Sequence, residues 1–123
     1  MSVFGWIIAG LLAAAYLAAG STKLVQPKEK LLKQDSFGWV EGFTAAQLKG
    51  IGAVEVAGAL GVVLPWLLDI ANVLTPIAAV GLGAVQLGAI RVHARRGEYK
   101  VLPANVVLLI LAIVLAAVRF SQL

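Results

Sequence analysis

Four long apolar runs separated by polar stretches dominate the chain, and their length decides what they become. The first covers about residues 3–24 and carries no charge before Lys23, and the second covers about 45–68, interrupted by Lys49 and Glu55. The third, about 74–90, and the fourth, about 103–118, are uncharged. Each run is close to the ~20 helical residues needed to cross ~30 Å of hydrocarbon. The runs are continuous rather than alternating, and the chain is short for even the smallest membrane barrels, so helices are the expected spanning elements. The prediction is an all-α, polytopic membrane protein built as one bundle of four transmembrane helices.

Boundary residues agree with these spans. Thr44 followed by Gln47 forms the pattern of a capping box, and Pro76 and Pro103 stand where a first-turn proline is tolerated. Pro65 falls late in the second run, where it either kinks the helix or ends it just before Trp66. Helices in lipid associate through small residues that allow close approach. Gly10, Ala14 and Ala18, then Ala53, Ala57 and Gly61, then Ala84 and Gly88 recur at four-residue spacing. Such rows predict close packing within the bundle; self-association is the alternative.

Composition strengthens the membrane reading: 61% of residues are hydrophobic and 13% charged, against about 45–50% and 25% in soluble chains. The net charge of +4 comes from residues lying between the apolar runs, which makes them topology signals rather than a nucleic-acid face. Lys23, Lys28, Lys30, Lys33 and Lys49 flank the first connection, and Arg91, Arg95, Arg96 and Lys100 the third. With four spans these nine fall on one side and only Arg119 on the other. The positive-inside rule then puts the nine in the cytoplasm and both termini and the Asp69 turn outside. Trp6 and Trp66 share the outer interface in this arrangement. The first run offers small-residue cleavage sites at Ala13–Ala15 and Ala18–Gly20, but Met1, Ser2, Val3 and Phe4 bring no positive charge, so a retained helix is expected.

The first connection, residues 25–43, mixes lysines with Leu31, Leu32, Phe37, Trp39, Val40 and Phe43. It is either a segment lying in the interface or an ordered loop packed on the helix ends. Within the spans, Glu55 stands out, about ten residues or roughly 15 Å into its helix. An ionisable group at that depth needs a partner, a cavity or another protein. Lys23, from a different helix and with a long stem, is the better partner, and Lys49 is expected to snorkel to the headgroups. Gln86 and Asn105 are placed to hydrogen-bond across helices or to meet a polar ligand atom. His93 sits at a span boundary among Arg91, Arg95 and Arg96, arginines suited to anionic lipid headgroups. With no cysteine and one histidine, the chain has neither thiol chemistry nor an expected metal site. No nucleophile with its base, phosphate loop or dinucleotide fingerprint appears, so catalysis by this chain alone is not expected.

Several stretches resemble the DoxX-like family of small bacterial membrane proteins. They are Ala19-Gly20-Ser21-Thr22-Lys23-Leu24, the segment from Ile51 through Glu55 to Gly61 leading to Pro65, the segment from Gly88 through His93 to Glu98, and Asn105. The resemblance implies a four-helix fold in the bacterial inner membrane. It also implies an association with quinol or thiosulfate:quinone oxidoreductases, as an accessory subunit bound to a larger membrane protein or as a homo-oligomer. No cofactor is expected in the chain itself, though a quinone is compatible with the family. The competing expectation is an independent binder or carrier of a quinone or lipid around Glu55.

Overall fold

The computed structural model describes residues 3–123, with the side chains of all but Asp35 and Ser36; Met1 and Ser2 lie outside the described residues. It is helical, with no strand among those residues and four helical spans long and apolar enough to cross a membrane. The first, α1, runs over Val3–Val25. A short helix α2, Lys28–Leu32, and a 3-10 segment, Asp35–Gly42, follow at the lysine-rich end. The second span is α3, Ala45–Gly61, continued by α4, Leu64–Leu68. Then come α5, Leu74–Arg95, and α6, Leu102–Ser121.

The four spans alternate in direction and form a ring in which α1 neighbours α3, α3 neighbours α5, α5 neighbours α6, and α6 returns to α1. Ile8, Leu12, Tyr16, Val62, Leu82 and Leu115 fill its interior. The third span, α5, continues about a turn past its apolar run, through Arg91–Arg95. It stops at Gly97, whose φ of +72° supports a left-handed cap, with Glu98 N–H bonded to the His93 carbonyl and Gly97 N–H to that of Ala94.

The Thr44 capping box forms as expected, with Thr44 Oγ1 accepting from Gln47 N–H and Gln47 Oε1 from Thr44 N–H. Of the two expectations for Pro65, an interrupted span is found rather than an end before Trp66. The helix breaks ahead of it, at Val62–Val63, and resumes with Pro65 in the first turn of α4. A proline at position i takes the usual donor away from the carbonyl at i−4, here Gly61. That carbonyl instead accepts from Thr75 Oγ1 of α5 at 3.0 Å, which satisfies it within the bilayer.

The small-residue rows also depart from expectation. Gly10, Ala14, Ala18, Ala53, Ala57, Ala84 and Gly88 are all exposed, and of the glycines in these rows only Gly61 makes a tight contact, against Ala78. The buried stripe of α3 is Leu48, Gly52, Glu55 and Ala59, one residue earlier than the Ala53 row and hence rotated by about 100°. Tight packing is carried by Gly20 and Gly52. A Cβ on Gly20 would lie 2.7 Å from the Gly52 oxygen, and one on Gly52 would lie 2.8 Å from the Gly20 oxygen. Two bare backbones therefore cross there.

The first connection packs on the helix ends. Leu31, Val40 and Leu48 are buried together, with Phe37, Trp39 and Phe43 packed around them.

Candidate functional site

The glycine crossing sets the geometry of the charges beside it. Lys23 lies three residues past Gly20 towards the lysine-rich end, and Glu55 three residues past Gly52 in the opposite direction. Their axial offset is about 9 Å at 1.5 Å per residue, a span that the lysine stem covers by reaching inward. Lys23 Nζ donates to Glu55 Oε1 at 2.6 Å, with both side chains more than nine-tenths buried. The lysine therefore turns away from the headgroups, a course that costs solvation and is offset by the charge-assisted bond.

Two further polar groups extend this centre towards mid-membrane. The buried Tyr16 hydroxyl donates to the Leu82 carbonyl at 3.1 Å and accepts from Gln86 Nε2 at 2.6 Å. Tyr16 shares the buried face of α1 with Gly20 and Lys23. Its place seven residues before Lys23 on the same helix is the signal the sequence offers for it. Gln86 thus joins the centre as a cross-helix donor, leaving its Oε1 unpartnered.

On the lysine-rich side Trp39 roofs the ion pair, its ring centroid 5.7 Å from Lys23 Nζ. The same indole meets Phe43 edge-on at 5.6 Å and His93 at 6.1 Å. Behind it, Glu98 accepts from Arg96 Nε at 3.2 Å and pairs with His93 Nδ1 at 2.9 Å. The hydrogen bond from His93, aided by the Arg96 charge, holds the Glu98 carboxyl below its usual range. His93 is therefore half-buried between Trp39 and Glu98, while Arg91 and Arg95 are exposed and outside this cluster. Asn105 is not brought to it either: it is half-buried in the first turn of α6 with Nδ2 unpartnered.

Lys49 caps the end of α1, its Nζ donating to the Leu24 carbonyl at 2.9 Å. Lys23 and Lys49 also line a cavity of about 180 Å³ between the end of α1, the start of α2 and the start of α3.

The opposite end holds a residue that the sequence marked only as a topology signal. Arg119 is fully buried, its guanidinium 5.0 Å from the Trp6 ring centroid and 4.5 Å from that of Trp66. Its Nη1 donates to Gln122 Oε1 at 2.8 Å, whereas Nε and Nη2 have no hydrogen-bond partner. Stacking on two indoles, worth up to about 2 kcal/mol each when desolvated, ties together the start of α1, α4 and the end of α6.

Four apolar spans around a buried ion pair, capped at one end by lysines and arginines, define a multi-pass α-helical membrane protein resident in a lipid bilayer. The profile of the DoxX-like family matches residues 7–115, and the chain belongs to that family. No curated protein and no solved structure matches it significantly.

Proposed function

We propose that this protein is a non-catalytic accessory subunit of a larger membrane assembly, an oxidoreductase or envelope complex of the bacterial inner membrane, and docks to it through its outward-facing small residues. The observation that carries this reading is the exposure of Gly10, Ala14 and Ala18 on α1, Ala53 and Ala57 on α3, and Ala84 and Gly88 on α5. Nothing lies within 4 Å of a Cβ built on Gly10 or Gly88. Small residues favour close approach by another helix, and the exposed members of these rows leave that approach open. The lysine-rich end faces the cytoplasm in this reading, with both termini outside.

A quinone or lipid pocket around Glu55 has less support. Lys23 occupies the carboxylate, and Glu55 does not line the cavity beside Lys23.

Purification in mild detergent, with identification of co-purifying proteins, tests the reading. A larger membrane protein should accompany the wild type and be lost from Ala14→Leu or Ala53→Leu chains that keep their helicity and melting behaviour. A chain that purifies alone, or only with copies of itself, would overturn it. Cysteines at Ser2 and Gln122 should react with an impermeant reagent in intact cells, and those at Gln34 and Gly97 should be protected.

A further inference from the structure

The cavity at the lysine-rich end has a chemistry of its own. Its walls are apolar where Val25, Pro27 and Leu48 face it, and cationic where Lys28 and Lys49 do. Lys23 also lines it, but its charge is matched by Glu55. Glu29 is the opposing acid, so Lys28 and Lys49 leave the lining one positive charge in excess. Lys49 spends one of its three N–H donors on the Leu24 carbonyl, and Lys28, half-buried, has no hydrogen bond or ion pair among the described residues. Ala45, the first residue of α3, forms another wall, so the positive end of that helix faces the same space. Directly beside it Val25 is 79% exposed and Leu24 is exposed as well, an apolar rim at the end of α1.

From this combination we infer that the cavity binds the phosphodiester of an anionic phospholipid. Lys28 and Lys49 hold the phosphate at the mouth of α3, and the acyl chains run down the outside of α1 past Leu24. The volume suits a headgroup and excludes a whole lipid, so the chains must lie outside. The site differs from a diffuse basic surface because it has walls and a hydrophobic exit. It is independent of whether the protein docks onto a partner.

Native mass spectrometry of the full chain in detergent, titrated with phosphatidylglycerol or phosphatidylcholine, tests the inference. One phosphatidylglycerol should bind about five-fold more tightly than phosphatidylcholine, the factor expected of one net basic charge. Lys28→Gln/Lys49→Gln, which leaves the lining one negative charge in excess, should reverse that preference, and Arg91→Gln/Arg95→Gln, which removes charge from the same end outside the cavity, should leave it intact. Ala45→Phe, which fills the cavity and keeps every lysine, should also lose the bound lipid. Because Lys49 caps α1, Lys28→Gln alone provides a variant without that structural contact and should weaken binding by about five-fold. An excess of inorganic phosphate should not displace the lipid. Equal affinity for the two lipids, equal losses in the two double variants, retention by Ala45→Phe, or displacement by free phosphate would each overturn the assignment.

Discussion

Removing one member of the Lys23–Glu55 pair should cost far more than removing both. At about 3 Å and an effective dielectric of ~20, the attraction is about 5–6 kcal/mol. Desolvation of two ions, at several kcal/mol each, is of the same order, so the pair contributes little net stability. Lys23→Met or Glu55→Met leaves the surviving charge more than nine-tenths buried with no opposite charge beside it, at a cost of about 3–5 kcal/mol. The double variant replaces both groups by apolar side chains of similar length and should lie within about 1–2 kcal/mol of the wild type. Reversible unfolding in mixed micelles, titrated with denaturing detergent, measures all four corners of the cycle, because the unfolded chain lets either charge reach water. The expected coupling is at least about 3 kcal/mol, at the upper end of the range for contacting residues. Additive costs, or a single Glu55→Gln variant as stable as the wild type, would show that the carboxyl is neutral and would refute the pairing.

At the helix crossing, Gly20→Ala or Gly52→Ala should destabilise the bundle by about 1–3 kcal/mol through overpacking, whereas Gly10→Ala should be neutral in the same titration. Thr75→Val strands the Gly61 carbonyl and should cost about 1–2 kcal/mol; Pro65→Ala, which restores an N–H within reach of that carbonyl, should recover most of the loss. Glu98 has a carboxyl pKa held below the usual 4.5, so its contribution is complete above that value and disappears as pH falls through the lower, folded-state one. Because Glu98 is 28% exposed, the effect should stay below about 1 kcal/mol, visible as a melting difference between wild type and Glu98→Gln that is present at neutral pH and absent in acid.

The spans were legible because hydrocarbon thickness imposes a length, and the pairing of Lys23 with Glu55 because a lone charge at depth has few ways to be satisfied. Helix rotation was not. A span bordered by lipid on one side and by apolar neighbours on the other has no polar face to mark its exterior, so Ala53 and Gly52 look equally suited to the contact. What separates them is the proximity of Gly52 to Glu55 on the same face, a clue visible only once Glu55 is known to point inward. The burial of Arg119 was hidden for another reason: its indole partners come from α1 and α4, more than fifty residues away in sequence. Nothing local to Thr75 connects its hydroxyl to a carbonyl fourteen residues earlier.

That last bond bears on how the protein is made. The second span contains a carbonyl that its own helix does not satisfy, and the group that seals it belongs to the third. A nascent chain whose α3 and α4 have left the insertion machinery before Thr75 emerges carries an open acceptor in the bilayer, so the second span is finished only when the third arrives. The two helices and the tight Asp69–Val73 turn between them therefore form a natural unit of insertion. A truncation ending in that turn should therefore insert less favourably, by about 1–2 kcal/mol, than one ending after α5.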